Sequence, residues 1–348
     1  MKKVLLAFCM LLVGVITSQA TSLFPFFGDL VGNYDTLKDS DNQFVAKGVS
    51  MLGDIEATES FMAAAGSPTA TTCLSADALR SCIDSLDARI GVAVIIDGRN
   101  TVTVAGRDDF PMLSVYKFPQ ALAVADYCIA NGVAFEDSID IQPAQIKENT
   151  WSPLREKYGI KALRIPLEEL LSYTLQQSDN NACDILFDFI GGPAVADSLM
   201  HARGFCDIHI RDTEEAMHSD VMRCYRNSST PLEMARLMEY FMRDLRLTDA
   251  RYAKIATLMT DCRTGLDRLA APLQRTSAVL THKTGTGDLN PSGRQIAVND
   301  VGYVTLPDGR SYSIVVFIAD SALKPMESAS VIATLSRVVY NCLASASG

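Results

Sequence analysis

Ser114 and Lys117 stand three residues apart in the run Ser114-Val115-Tyr116-Lys117, and that spacing can support one kind of chemistry. On a helix it places both side chains on one face, with Cβ atoms about 5–6 Å apart. A serine hydroxyl is a weak nucleophile until a base removes its proton. A lysine can serve as that base where burial or a nearby cation disfavours its charge. A serine at a helix start also gains the positive end of the helix dipole, which steadies a developing oxyanion. Two more runs follow in order. In Ser178-Asp179-Asn180, the serine can relay a proton to a leaving nitrogen and Asn180 can hold a substrate amide. The same tripeptide also makes a good capping turn. Lys283-Thr284-Gly285-Thr286 ends an apolar strand. A lysine there is costly unless it faces an anion, though an edge-strand lysine that discourages aggregation accounts for the position too. Gly285 permits a close approach to the backbone. Between the second and third runs lie two acids, Glu214 and Glu215. The combined reading is acyl transfer through a serine ester.

Two of these runs have chance copies. Ser321 and Lys324 repeat the first spacing, and Ser40-Asp41-Asn42 repeats the tripeptide, so the weight rests on order and spacing. The elements that must position the runs are legible. Leu79, Cys82, Ile83 and Leu86 follow helical spacing. Ile90 to Ile96 reads as a strand that turns through Asp97-Gly98-Arg99-Asn100 into Thr101 to Val104. Val279 to Thr286, Ala297 to Leu306 and Tyr312 to Ile318 read as strands, with Pro307-Asp308-Gly309 turning the last two. A closing helix is expected from Met326 to Leu343, with Val331, Ile332, Leu335, Val338, Val339 and Cys342 on one face. The middle is mainly helical. Pro166 suits a first helical position, and Gly191-Gly192 ends a helix over Ala182 to Ile190. The expected fold is therefore α/β plus all-α: an antiparallel sheet with terminal helices (about 74–110 and 259–345) and an inserted helical lobe (about 111–258), the cleft lying between them.

The first twenty residues read as a secretory signal: Lys2 and Lys3, an apolar run from Val4 to Ile16, then small residues at Ser18-Gln19-Ala20. A secreted, periplasmic location is expected. Residues 21–73 read as an extension or linker of unknown role, with a short helix near 55–65. No later stretch is apolar enough to span a bilayer, so no membrane contact is expected once the leader is gone. The net charge of −10 argues against nucleic acid as a partner. With four histidines and no cysteine pair at ligand spacing, neither a metal site nor a cofactor is expected. Of the nine cysteines, Cys183 and Cys342 read as buried free thiols, while Cys73–Cys82 and Cys206–Cys224 are candidate bridges. A monomer acting on a small molecule is expected.

The three runs, in this order, resemble class A serine β-lactamases and their penicillin-binding relatives, whose motifs they match over about residues 74–345. Arg89-Ile90-Gly91-Val92-Ala93-Val94 looks like the family's first strand, and Asp179-Asn180-Asn181-Ala182-Cys183-Asp184 looks like an extended-spectrum branch. The resemblance implies a β-lactamase/transpeptidase-like fold. It implies Ser114 as the acyl-ester nucleophile, Lys117 as its proton partner, Ser178 as relay and Asn180 as a substrate contact. It makes Lys283, Thr284, Gly285 and Thr286 the carboxylate-binding strand, with the Ser114 and Thr286 N–H groups as oxyanion hole. The family's deacylating glutamate falls on Glu214 in Glu214-Glu215-Ala216-Met217-His218, and Glu215 is left as a solvated acid. His218 stands where asparagine is usual, and Asp212 where arginine is usual, which puts the loop's internal ion pair in doubt. Arg268 resembles a residue that helps bind the substrate carboxylate; a plain surface arginine is the other reading. Which residue is the first base, Lys117 or Glu214, stays open. The implied activity is hydrolysis of the β-lactam amide of penicillins and cephalosporins. The alternative is a penicillin-binding D-alanyl-D-alanine peptidase or transpeptidase, and a non-catalytic sensor domain is the third reading.

Overall fold

A computed structural model describes residues 74–345. The expected leader and extension, and Cys73, lie outside the described residues. In chain order the elements are helix α1 (Ala76–Arg80), strands β1 (Arg89–Ile96), β2 (Asn100–Val104) and β3 (Phe110–Pro111), and a 3-10 turn (Leu113–Tyr116). Then come α2 (Lys117–Asn131), β4 (Ser138–Ile141), α3 (Pro153–Tyr158), β5 (Leu163–Pro166), α4 (Leu167–Gln176), α5 (Asn180–Ile190) and α6 (Pro193–Ala202). They are followed by β6 (Ile208–His209), α7 (Glu214–Ser219), β7 (Ser228–Ser229), α8 (Pro231–Arg243) and α9 (Ala250–Thr260). The chain closes with β8 (Val279–Thr286), β9 (Gln295–Thr305), β10 (Ser311–Ser321) and α10 (Pro325–Ser345).

Five strands form one sheet in the order β2-β1-β10-β9-β8, and every neighbouring pair is antiparallel. Alternation along the strands sorts the core into two layers. Ala93, Ile95, Val301, Tyr303, Val315 and Phe317 point toward the helical side. Val92, Val94, Ile96, Val304, Ile314 and Val316 point the other way, onto Ile332, Leu335 and Val339 of α10. Each fully buried aliphatic side chain is worth roughly 1.5–3 kcal/mol, and a one-residue slip would turn all of them to the wrong layer. That fixes the register. The same parity aims Lys283 of β8 toward the helical side. Helix α8 packs directly on β1, β9 and β10, so it forms a layer of the sheet as much as part of the helical lobe.

Several local expectations need correction. Only the first turn of the expected 79–86 helix is α-helical; the rest is a series of turns. Pro166 is the cap of α4 and not its first helical residue, because its backbone is extended at ψ 144°. The mainly helical middle also carries short strand pairs, β4 with β5 and β3-β7-β6. Cys342 is disulfide-bonded, not a free thiol. Cys82, Cys206 and Cys224 are all free, so neither expected bridge exists; Cys206 is exposed while Cys224 is buried. Cys183 is free and buried, as expected. No helix among the described residues is long and apolar enough to cross a membrane.

Candidate active site

A cleft of about 440 Å³ opens between the end of β8 and the helical lobe, and its walls include Ser114, Ser178, Asn180, Glu214, Arg268 and Thr286. Ser114 sits in the 3-10 turn rather than in an α-helix, and Lys117 is the first residue of α2. Leu113 just before it has φ +49°, a left-handed conformation that costs a branched side chain of order 1–3 kcal/mol. The surroundings hold it there. The wholly buried Asn299 of β9 donates to Pro111 O at 2.7 Å and Met112 O at 3.1 Å. Met112 N donates in turn to Asn227 O at 2.8 Å. Gly285 completes the arrangement: a Cβ there would lie 2.4 Å from Met112 O and 3.3 Å from Ser114 N. The close approach that Gly285 first permits is thus that of the chain's own backbone. It brings the end of β8 beside the Ser114 N–H, as an oxyanion hole shared with Thr286 requires.

Lys117 has no exposed surface, and its Nζ lies 2.9 Å from Ser178 O, 2.6 Å from Asn180 Oδ1 and 2.9 Å from Glu214 Oε1. The first two are hydrogen bonds and the third is an ion-pair contact. Burial pulls its pKa down, but Glu214 foremost, with Cys183 and Asp179 adding, holds the group above its ordinary value. Lys117 therefore rests as a cation, not as the amine that the sequence argument requires of a base. Ser178 has φ +58°, and its Oγ accepts from Lys283 Nζ at 3.0 Å. Asp179 caps α5 by accepting from Ala182 N at 2.9 Å. The capping and chemical readings of this tripeptide both hold, on different residues. Asn180 faces the cleft, with its Nδ2 donating to Thr150 Oγ1 at 2.9 Å.

Lys283 lies on an edge strand of the sheet yet is fully buried, so it does not serve as an exposed guard against aggregation. Burial lowers its pKa to about 8, with the Lys117 charge adding to the fall. Arg268 is not a plain surface arginine: it is buried yet lines the cleft, donating to Asn299 O at 2.8 Å, Gly285 O at 3.1 Å and Thr286 Oγ1 at 2.6 Å. It positions Thr286. Thr284 Oγ1 meets Thr264 Oγ1 at 2.5 Å. On the neighbouring strand residue, His282 Nδ1 contacts Asp300 Oδ1 at 2.9 Å, both buried. Burial would depress His282, but Asp300, with Cys262 adding, holds the imidazole up at about 10.

Glu214 opens α7, which Thr213 caps by accepting from Ala216 N. Asp184 of α5 accepts from Glu214 N at 2.7 Å and Glu215 N at 2.8 Å, fixing this helix start against the lobe. Burial first, then the Glu214 charge, raises Asp184 to about 7. Glu215 is exposed and pairs with Lys147, in keeping with a solvated acid. The loop does have an internal ion pair, with reversed order along the chain. Buried Asp212 lies 2.7 Å from Arg223 and 3.3 Å from Arg226. Asn227 clamps the loop's root by accepting from Arg211 N and Asp212 N and donating to Asp212 O. Sequence reasoning missed Asn299, Asn227, Thr264 and Trp151. Only Trp151, the chain's one tryptophan and exposed at the cleft, carried any signal.

Comparison with known proteins gives a consistent result. The profile of the beta-lactamase enzyme family matches residues 75–343. A beta-lactamase of Bacteroides uniformis is 37% identical over 274 residues, covering 76% of this chain and 91% of that protein. The structure of TLA-3 extended-spectrum beta-lactamase superposes with a TM-score of 0.74 at 32% identity, covering 77% of this chain and 97% of that one. A class A beta-lactamase from Bacteroides cellulosilyticus DSM 14838 gives a TM-score of 0.73 at 35% identity, with 77% and 96% covered.

Proposed function

The chain belongs to the beta-lactamase enzyme family, as a class A serine enzyme, and on that premise we propose how its residues open and clear a β-lactam. The enzyme hydrolyses the β-lactam amide and so confers antibiotic resistance. Ser114 Oγ attacks the lactam carbonyl carbon while the Ser114 and Thr286 N–H groups receive the oxyanion. The Ser114 proton passes toward the Lys117–Glu214 pair. Since Lys117 is already charged, the pair can accept a proton only if Glu214 ends with it, directly or through Lys117. The C–N bond then breaks, and the proton held by the Glu214–Lys117 pair passes by way of the Ser178 hydroxyl, which Lys283 contacts, to the nitrogen, so that Glu214 is ionised again. Glu214 next draws a proton from water, the water oxygen attacks the ester carbon, and Ser114 leaves with a proton restored.

The observation that carries this reading is the position of Glu214. Its carboxylate lines the same cleft as Ser114 and lies 2.9 Å from the buried Lys117. A base in that place distinguishes hydrolysis from the long-lived ester of a penicillin-binding peptidase. Without the carboxylate that holds its charge Lys117 can itself take the Ser114 proton, so Glu214→Ala is expected to accumulate an acyl-enzyme at the variant's own mass plus intact penicillin, and Ser114→Ala to form none. Mass spectrometry after mixing with a penicillin decides between them; rapid turnover by the glutamate variant overturns the assignment.

Export is part of the proposal. It is supported by Lys2-Lys3 with the apolar run behind them, and by the disulfide at Cys342, which suits an oxidising compartment. N-terminal sequencing of the protein released from the periplasm is expected to start at Thr21. A monomer is the proposed state, and light scattering of the purified protein is expected to return the mass of one chain.

A further inference from the structure

Asp197 and His201 stand one turn apart on α6, and His209 lies on β6, which α6 packs against. One ligating atom from each falls within 4.8 Å of the others. The hydrogen bonds around this cluster all point outward. His201 Nε2 donates to Ile208 O at 3.0 Å, which leaves Nδ1 as the nitrogen turned to the cluster. That Nδ1 faces Asp197 Oδ2 at 3.8 Å. The other carboxylate oxygen, Oδ1, is occupied by Ile210 N at 2.7 Å. His209 Nδ1 is buried and has no hydrogen-bond partner. Its ring stands at 89° to that of His201, with centroids 5.6 Å apart. One nitrogen of His201, a carboxylate oxygen and an unpartnered imidazole therefore converge.

We propose that Asp197, His201 and His209 bind a divalent transition-metal ion of the zinc class, in a site separate from the catalytic cleft. Two imidazoles and one carboxylate suit zinc, cobalt or nickel, and a water completes four-coordination. The outward hydrogen bonds are the kind that fix ligands in metal sites: the distal histidine nitrogen on a backbone carbonyl and the spare carboxylate oxygen on a backbone N–H. Zinc bonds of 2.0–2.2 Å place tetrahedral ligands roughly 3.3–3.5 Å apart, so the cluster closes by little more than about an ångström. The His201 side chain is 36% exposed and that of Asp197 22%, which gives the ion a path from solvent. None of the three residues lines the catalytic cleft. The carbonyl and N–H held by this cluster belong to residues 208 and 210, which lead into the loop bearing Glu214. The ion's role is accordingly to tie α6 to the entry of that loop.

The test uses untagged protein stripped with a chelator and then titrated with zinc or cobalt alone. The expected result is one equivalent bound per chain, with a visible absorption band typical of four-coordinate cobalt. Zinc at 100-fold excess over its Kd is expected to raise the melting midpoint by about 5 °C. His209→Asn and Asp197→Asn, checked for retained penicillin turnover, are each expected to weaken binding at least tenfold and to abolish the midpoint shift. Absence of binding by the wild type at micromolar metal overturns the proposal, and so does undiminished binding in both variants. If a variant fails to fold, the wild-type cobalt spectrum decides: an octahedral spectrum at one equivalent refutes a His-His-Asp site of this kind.

Discussion

Lys283 shows how one buried residue ties activity to pH. In the proposed function its ammonium, with Arg268 at the cleft wall, serves a substrate carboxylate, yet burial and the neighbouring Lys117 lower it to about 8. The charged form is present below that value and lost above it. A bound carboxylate favours the charged form, so the loss belongs to the free enzyme and appears in kcat/KM before kcat. For a penicillin, kcat/KM is expected to fall with a midpoint near pH 8, mainly through KM. Lys283→Arg is expected to push that fall beyond pH 10, since guanidinium stays charged. A flat kcat/KM up to pH 9.5 in the wild type would refute this. Lys117 behaves in the opposite way. It is equally buried, but Glu214 beside it holds its charge. Two lysines with the same burial are separated by what each one faces.

The loop carrying Glu214 depends on clamps from three directions: Asp184 at the start of α7, Asn227 at its root, and Asp212 paired with Arg223 and Arg226. Asp212 is buried but both arginines are about half exposed, so solvent screens the pairs. Asp212→Ala is expected to cost about 1–2 kcal/mol of stability, mostly through the arginines and backbone left without it. The functional effect should fall on deacylation, because Glu214 moves with the loop while Ser114 is held separately by Asn299 and Gly285. Chemical denaturation and rapid-quench kinetics check both points. Unchanged stability together with no accumulation of acyl-enzyme would contradict it.

Across the whole molecule, His282 and Asp300 form a buried ion pair behind β8, between the sheet and the segment holding Leu269, whose N–H also contacts Asp300 at 3.1 Å. Folding raises His282 from 6.5 to about 10. A raised imidazole stabilises the fold fully below its unfolded pKa and loses that contribution as pH climbs through the folded one. Stability is therefore expected to fall by a few kcal/mol between about pH 6.5 and 10. Asp300→Asn should flatten that slope, and Cys262→Ala, which removes a smaller support of the charged imidazole, should reduce it less; an equal slope in Asp300→Asn would disprove the account. The sequence by itself determined a good deal here. Alternation and turn chemistry fixed the strands, and motif order fixed Ser114, Lys117, Ser178, Lys283 and Glu214 as one set, because these signals are local and survive in linear text. Whether Lys117 is charged, that Arg268 is buried against Thr286 at the cleft wall, that Gly285 yields to the backbone of the Ser114 turn, and that Asp212 pairs with two arginines were decided only in three dimensions. So were the bonding of Cys342 and the meeting of His209 with α6. Each depends on groups distant in sequence being brought within a few ångströms, where burial and neighbouring charge set their states.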